Sequence, residues 1–211
     1  MTRAISLSSF FLLLLFGAAL WGGCQNAGPE PLPRPERTDF PGGVTRLSLD
    51  LPGHFTANPQ PMAILPEAAS FIPSMTRYQT NKETGLSLQI IAVRFDDAAI
   101  AGQFGAPHAP ARQRFYMVFQ DTLLSALLPE FQVKDAAAEI SSTRETLSVN
   151  GRDLTVLSVN YVSSFNTPGK FKTIVVPDDR ETWIITILYD VGDDRLPTEI
   201  QRIIQSIRVT G

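Results

Sequence analysis

The sequence predicts an α+β domain in which an antiparallel β-sheet is layered against amphipathic helices. Leu47, Leu49 and Leu51 alternate with polar residues, which is the period-two pattern of a half-buried strand. Asn150-Gly151 separates two strand-like runs, and this dipeptide is a strong short-range signal for a tight hairpin. Residues 196–207 instead repeat their apolar side chains at helical spacing. Strands joined by hairpins, with helices packed on them, satisfy all three observations.

The amino-terminal segment has the layout of an export signal. Residues 10–20 are apolar, Gly or Ala throughout, and Arg3 and the free amino terminus precede them. A bilayer-spanning helix needs roughly 20 apolar residues, so this segment is too short to cross a membrane. We therefore expect residues 1–23 to be removed as a signal peptide.

The sequence around Cys24 resembles the lipobox of bacterial lipoproteins. Residues 22 and 23 are both Gly, and Trp21 stands where that motif usually has Leu. The resemblance implies that Cys24 carries acyl chains, such as palmitate, and becomes the mature amino terminus. Gln25 is not the Asp of an inner-membrane retention signal, which implies the periplasmic face of the outer membrane if the source has two membranes. The alternative for Cys24 is an inert free thiol.

Composition excludes several classes of protein. Cys24 is the only cysteine, so the chain has neither an intrachain disulfide nor a Cys-rich zinc site. The net charge is −3, and removal of residues 1–23 takes away only Arg3, which leaves about −4. The basic residues are scattered, which argues against a nucleic-acid surface and against a basic cluster that binds anionic lipid. Membrane attachment is therefore expected through lipid alone.

Residues 24–43 are expected to be a lipidated Cys followed by a Pro-rich linker. This segment has five prolines and no apolar periodicity. Alternating prolines favour polyproline II, in which such a linker spans on the order of 50 Å. The alternative is a coil that lies along the domain.

Residues 44–211 are expected to form a single α+β domain. Besides the strand at 44–51, the predicted strands form three hairpins: 75–80 with 86–95, 140–149 with 152–164, and 171–176 with 183–189. The strands at 86–95 and 183–189 are apolar on both faces, which indicates central strands of a sheet that is covered on both sides.

Two main amphipathic helices complete the predicted domain. One covers 110–128, between Pro110 and Pro129. The other closes the chain, with Asp193 and Asp194 near its start and Pro197 in its first turn. Residues 96–109 are expected to be an irregular connection.

The order of these elements resembles the PsbP-like fold, an α/β/α sandwich. The resemblance rests on Leu49-Asp50-Leu51-Pro52-Gly53-His54-Phe55, the hairpin at 75–95, the strand at Trp183 and the terminal run at 203–207. That fold is shared by extrinsic subunits of photosystem II, a Ran-binding nuclear transport factor and DcrB-type bacterial lipoproteins. The resemblance implies an accessory or binding protein that is not an enzyme and carries no cofactor.

Candidate chemistry is sparse. His54 and His108 are expected on exposed loops, and no Gly-x-Ser-x-Gly motif accompanies them. Three acidic groups could bind calcium, although adjacent acids on turns are more often simply solvated. These groups are Asp96-Asp97, Asp178-Asp179 with Glu181, and Asp190 with Asp193-Asp194. No metal site is predicted from them.

Two pairs of residues are candidates for binding a partner. Arg112 and Arg114 lie at the start of a predicted helix, where cations oppose the helix dipole, so they could serve an acidic group of a partner. The alternative is a salt bridge within the chain. Met62 and Leu65 belong to the Pro-rich stretch 59–73, which either covers a sheet edge or presents apolar side chains to a partner.

The leading hypothesis is a lipid-anchored, non-enzymatic envelope protein that binds a protein partner or assists assembly. A carrier of a small apolar ligand is the second hypothesis, and a hydrolase is the third. An enclosed apolar pocket would favour the carrier, and titratable residues clustered in a cleft would favour the hydrolase.

Overall fold

The computed structural model of the chain describes residues 31–61, 69–70, 72–79, 86–104, 141–162 and 168–211. This part contains ten strands and two helices. The strands are β1 (Pro35–Pro41), β2 (Arg46–Pro52), β3 (Gln60–Pro61), β4 (Ser74–Gln79), β5 (Leu86–Arg94), β6 (Ser141–Val149), β7 (Arg152–Val162), β8 (Pro168–Val176), β9 (Thr182–Asp190) and β10 (Arg208–Thr210). The helices are α1 (Asp97–Phe104) and α2 (Leu196–Ser206).

The strands form two antiparallel sheets. The small sheet has the order β1-β2-β10, and the large sheet has the order β3-β4-β5-β9-β8-β7-β6. Every pairing in both sheets is antiparallel. The predicted α+β class with an antiparallel sheet is therefore confirmed.

The predicted hairpins are present. The β6–β7 turn has positive φ at Asn150 (50°) and Gly151 (78°), as a type I′ turn requires. Val149 and Arg152 close this hairpin as directly opposed residues. Strand β8 pairs with β9, and β4 pairs with β5, although the predicted β4–β5 turn lies outside the described residues.

Strands β5 and β9 occupy the centre of the large sheet, as their apolar composition predicts. Trp183, Ile185 and Ile187 of β9 are fully buried on one face, and Ile184 and Thr186 are almost fully buried on the other. A strand buried on both faces has no solvated side, which explains why its sequence does not alternate.

The core lies between the large sheet and a layer formed by α2 and the small sheet. Ile200, Ile203 and Ile204 of α2 belong to the same buried cluster as the inward side chains of β2 and β9. Ser206 ties the two parts of this layer together, because its hydroxyl donates to Ile203 O at 2.7 Å and accepts from Asp50 N at 2.9 Å. Burial of each such aliphatic side chain contributes about 1.5–3 kcal/mol to folding.

The linker prediction was wrong for residues 35–41. These residues form β1, which pairs with β2 along its whole length, from Pro35 opposite Pro52 to Pro41 opposite Arg46. Phe40 is fully buried, and Thr38 on the same face is nearly so. Thr38 and Phe40 are the only inward side chains between the flanking prolines. Two alternating positions are too few to distinguish a strand from a coil by sequence periodicity.

Two further elements differ from the sequence prediction. Helix α1 occupies part of the stretch 96–109 that we expected to be irregular, and Asp96 begins it by accepting a hydrogen bond from Ala99 N at 3.0 Å. Its Ala-rich sequence lacks an apolar stripe, so periodicity could not identify it. After α2, residues 208–210 form β10 on the free side of β2. The predicted helix at 110–128 lies outside the described residues.

The Pro-rich region between β2 and β4 is described only at its two ends. Phe55 packs against the core, and Ile72 is 1% exposed, so both ends turn apolar side chains inward. Between them, Gln60 and Pro61 form the two-residue strand β3 beside β4. Within the described ranges, no helix is long and apolar enough to cross a membrane.

Candidate interaction edge

The residues predicted to carry function are not among those that the structure describes. Cys24, Met62, Leu65, Arg112 and Arg114 all lie outside the described ranges. Lipidation of the first and partner binding by the other four therefore stay predictions.

The described histidine lies on the surface. His54 has a side chain that is 83% exposed, and its Nδ1 lies 3.3 Å from Glu36 Oε2. The second histidine, His108, is outside the described ranges. Among the residues described, no three His, Cys, Asp or Glu side chains lie close enough together to hold a metal ion.

Two of the predicted acidic groups are engaged by neighbouring arginines. Asp178 Oδ2 lies 2.9 Å from Arg152 Nη2, and Asp178 Oδ1 accepts from Arg180 N at 3.1 Å. Asp193 Oδ1 accepts from Arg195 Nε at 2.8 Å, and the hydrogen bond from this side chain holds the pKa of Asp193 below its usual range. These carboxylates therefore stabilise turns within the chain.

Glu181 is buried and binds the turn between β1 and β2. Its Oε1 accepts from Gly43 N at 2.9 Å, and its Oε2 accepts from Thr45 N at 3.0 Å and from the Thr45 hydroxyl at 2.9 Å. Trp183 Nε1 donates to the same hydroxyl at 2.9 Å. A buried carboxylate is stable in such a site because its charge is met by several donors. The contact joins the small sheet to the large sheet.

Tyr78 makes a second connection between the sheets. Its hydroxyl donates to Pro41 O, and its ring packs edge-on against Phe40 with the centroids 5.4 Å apart. Burial raises the pKa of Tyr78, and the negative charge of Glu181 raises it further. The phenol therefore keeps its proton and remains a donor. The apolar and polar contacts around β1 are thus structural.

The outer edge of the large sheet, unlike the contacts around β1, is exposed to solvent. Residues 141–146 of β6, which we call the β6 edge, are all exposed. Successive side chains of a strand point to opposite faces, so exposed side chains lie on both faces of the sheet here. Inside this edge, β6 pairs with β7 without a bulge, from Ser141 opposite Asn160 to Val149 opposite Arg152. No strand of the described part pairs with the outer side of β6.

The β6 edge is polar on both faces. Ser141, Thr143 and Glu145 share one face, and the side chains on the other are those of Ser142, Arg144 and Thr146. Hydroxyl and charged groups keep such a strand soluble, whereas exposed apolar side chains would favour aggregation. The backbone groups along the outer side remain suited to pairing.

The other sheet edges within the described ranges are protected. Strand β1 carries Pro35 and Pro41 at its ends, β3 has two residues and ends at Pro61, and β10 has three residues. Short edge strands and prolines are the usual means by which proteins prevent unwanted pairing. In this comparison, β6 is the edge that is both long and free of proline.

The sheet surface beside the β6 edge is also hydrophilic. Two rows of opposed residues cross β6, β7 and β8 on the face that carries the core: Ser141, Asn160 and Lys170, and Thr143, Ser158 and Lys172. Asn160 Nδ2 donates to Ser141 Oγ at 3.1 Å, and Lys172 Nζ donates to Ser158 Oγ at 2.8 Å. The core therefore ends before this corner of the sheet, and the polar rows continue to the edge.

Sequence reasoning predicted a strand at 140–149 but not its role. The signal was present, because residues 141–146 contain no apolar side chain for either face. A strand with no apolar face cannot lie in the interior of a sheet between two packed layers, so this composition favours an exposed edge.

Comparisons with known proteins add a fold-level likeness. The chain matches no protein-family model and no curated protein sequence. Similar solved structures include the PsbP protein CyanoP of Synechocystis sp. PCC 6803, at 11% identity and a TM-score of 0.43, covering 89% of this chain and 98% of that one. LpqN, which is involved in cell envelope biogenesis of Mycobacterium tuberculosis, is 14% identical with a TM-score of 0.35, and the match covers 84% and 92% of the two chains.

A third similar structure is a Pseudomonas aeruginosa protein of unknown function, at 12% identity and a TM-score of 0.33, with 81% and 94% of the two chains covered. These neighbours thus include a cyanobacterial PsbP protein and a mycobacterial protein involved in cell envelope biogenesis. At these identities and TM-scores, the likeness carries no conclusion about function.

Proposed function

We propose that this chain is a lipid-anchored, non-enzymatic protein of the bacterial cell envelope, and that it binds a protein partner as an accessory or assembly factor. The β6 edge is the observation that carries the proposal. It is a long strand with both faces exposed and no proline, in a fold whose other described edges are blunted. Such an edge suits the binding of another polypeptide.

The amino-terminal sequence supports the location. The apolar segment at 10–20 and the Gly-Gly-Cys run that ends at Cys24 favour export followed by lipidation. Stable attachment requires more than one acyl chain, because a single chain holds a protein only marginally at a membrane. The envelope, on the exported side of a bacterial membrane, is therefore the proposed compartment.

In this proposal, the tether is shorter than the whole linker at 24–43. Leu32 packs against the core, and Arg34 O accepts a hydrogen bond from Gly53 N at 3.2 Å. The span between Cys24 and Pro31 can reach about 25 Å when extended. With Cys24 in the lipid, the domain would lie close to the membrane surface, where a partner in the same membrane could reach it.

The anchor is tested by replacing Cys24. We expect Cys24→Ala to leave an unprocessed or released protein, because no other residue can take the lipid. Mass spectrometry of the wild-type membrane fraction should find acyl chains on Cys24 at the mature amino terminus. An unmodified mature terminus at another residue would overturn the lipoprotein part of the proposal.

Partner binding is tested by gentle extraction of intact envelopes, followed by purification of the full chain. We expect one protein to remain bound in a stable ratio from wild-type envelopes. The matched control is Cys24→Ala, in which the domain is unchanged but no longer held at the membrane. Absence of any stoichiometric protein from the wild-type preparation would count against an accessory role.

A further inference from the structure

We propose that one corner of the large sheet is a binding site for a phosphate monoester. The site, which we call the lysine corner, consists of the two polar rows on the core-bearing face: Ser141, Asn160 and Lys170, and Thr143, Ser158 and Lys172. Side chains of the sheet face, and not the outer backbone of β6, meet this ligand. The site is therefore independent of the partner that the proposed function requires.

Two of the four lysines of the chain lie side by side in this corner. Lys170 and Lys172 are alternate residues of β8, so their side chains leave the same face of the sheet about 6.6 Å apart. Both are half-buried. They lie opposite Tyr189 and Ile187 of β9, which belong to the core or pack against it. The aliphatic stems can therefore lie along the core while the ammonium groups reach toward β7.

The positive charge of the lysine corner has no counter-ion within the described part of the chain. No carboxylate there forms an ion pair with Lys170 or Lys172, whereas six described arginines do pair with carboxylates: Arg37, Arg46, Arg152, Arg180, Arg195 and Arg202. Glu145, the acidic residue of β6 on this face, is two strands away from β8, which is at least about 10 Å. Two neighbouring ammonium groups repel each other, and a bound anion would offset that repulsion.

The donors of the lysine corner are arranged for an oxyanion. Lys172 Nζ donates to Ser158 Oγ at 2.8 Å, which holds the ammonium group in place and leaves its other N–H groups for a ligand. Asn160 Nδ2 donates to Ser141 Oγ at 3.1 Å, and that hydroxyl can in turn donate its own proton. Charge-assisted hydrogen bonds from the two lysines to an oxyanion are stronger than bonds between neutral groups.

The amount of charge favours a phosphate monoester over other anions. A monoester carries about two negative charges at neutral pH and has three strong acceptor oxygens. Two ammonium groups match that charge, whereas a phosphodiester or a single carboxylate carries one negative charge. Because the stems of Lys170 and Lys172 start only about 6.6 Å apart, both ammonium groups can reach the oxygens of one phosphate.

The test compares three probes on the purified full chain: glycerol phosphate as the monoester, dimethyl phosphate as the diester and succinate as a dicarboxylate. A ligand that binds only the folded chain raises its unfolding midpoint. At equal ionic strength, we expect glycerol phosphate to raise the midpoint most. A larger rise with dimethyl phosphate or succinate would overturn the choice of ligand, and no rise with any probe would overturn the site.

Substitutions of the lysines locate the binding. Lys170→Gln and Lys172→Gln each remove one ammonium group and should weaken glycerol phosphate binding by about tenfold. The matched control is Arg208→Gln, which removes an exposed cation from β10 and should leave the affinity unchanged. Titrations followed by phosphorus NMR give the affinities directly, so a change in stability does not obscure them. Equal affinities for the three variants would place the binding outside the lysine corner and overturn the proposal.

The pH dependence gives an independent readout of the charge that is recognised. A phosphate monoester loses its second proton with a pKa of about 6, so the affinity for glycerol phosphate should rise several-fold between about pH 5 and 7.5. Dimethyl phosphate does not titrate in this range and reports any titration of the protein itself. Equal pH profiles for the two probes would overturn the assignment of a dianion. If glycerol phosphate does not bind but a protein partner copurifies from envelopes, the lysine corner is wrong and the proposed function stands.

Discussion

Glu181 Oε2 accepts two hydrogen bonds from Thr45, one from the backbone N–H at 3.0 Å and one from the hydroxyl at 2.9 Å. The two residues are 136 positions apart in the chain. Because Thr45 lies in the β1–β2 turn and Glu181 directly precedes β9, this contact fixes the small sheet on the large one. Trp183 completes the arrangement by donating to the same hydroxyl.

Replacement of Glu181 should weaken the fold strongly. Glu181→Ala leaves the N–H of Gly43 and both donors of Thr45 without their acceptor, and the two donors of Thr45 are buried, where an unsatisfied donor is costly. We expect the free energy of unfolding to fall by about 3 kcal/mol. Glu181→Gln keeps one acceptor oxygen and should lose less. Denaturant unfolding of the three proteins measures this, and a change below about 0.5 kcal/mol for Glu181→Ala would contradict the assigned role.

Two adjacent glycines offer a matched comparison. A Cβ at Gly42 would lie 2.7 Å from Thr45 O and 2.7 Å from the carboxyl carbon of Glu181, whereas a Cβ at Gly43 would come no closer than 3.4 Å to Glu181 Oε1. We expect Gly42→Ala to cost about 1–3 kcal/mol because it overpacks the turn. Gly43→Ala should change stability by no more than about 0.5 kcal/mol. Equal unfolding midpoints for Gly42→Ala and Gly43→Ala would show that the Glu181 carboxylate does not pack against Gly42.

The β6–β7 turn should depend on backbone conformation at Gly151. Its φ is 78°, and no atom lies within 4 Å of the position that a Cβ would occupy, so strain alone decides the effect. Gly151→Val should cost about 1–3 kcal/mol because a β-branched residue resists positive φ. Gly151→Asn is the control, since Asn tolerates this region. In thermal unfolding, the wild type should have the highest midpoint, Gly151→Asn a lower one and Gly151→Val the lowest.

Strand β1 should be required for a stable domain. A chain that begins at residue 44 lacks β1 and with it Phe40, which is fully buried. We expect residues 31–211 to unfold cooperatively and residues 44–211 to melt at a much lower temperature or not to fold. Within 31–211, Phe40→Ala should cost about 3–5 kcal/mol through the cavity that it leaves. Identical midpoints for the two chain lengths would show that β1 is dispensable.

Stability at alkaline pH should depend on the burial of Tyr161. Burial raises the pKa of Tyr161 to about 12, whereas an unfolded tyrosine ionises near pH 10. The folded state then holds a proton that the unfolded state releases. The associated stability is fully present below about pH 10 and is lost as the pH rises toward about 12.

Tyr161→Phe removes this ionisation. Its unfolding midpoint should fall less than that of the wild type between about pH 10 and 12. Burial also raises the pKa values of Tyr78 and Tyr189, so part of the fall should remain. Midpoints measured across this range check the prediction, and parallel curves for the two proteins would contradict it.

Several parts of this fold are determined by local sequence signals, independently of tertiary contacts. Asn150-Gly151 specifies a turn because positive φ is a property of those two residues. The apolar run from Trp183 to Ile187 specifies a central strand because both of its faces must be buried. The amphipathic stripe of α2 likewise depends only on spacing along the chain.

Other features of the fold are decided only by tertiary structure, because they depend on contacts between residues that are far apart in the chain. Phe40 is a core residue only because β2 pairs with β1, and two inward side chains between prolines give no periodic signal. In the sequence, Glu181 is one of several acidic residues near turns, and only its hydrogen bonds to the β1–β2 turn distinguish it from the others. The sequence of β6 indicates an exposed strand, but only the strand order shows that, among the described strands, β6 lies at one end of the large sheet.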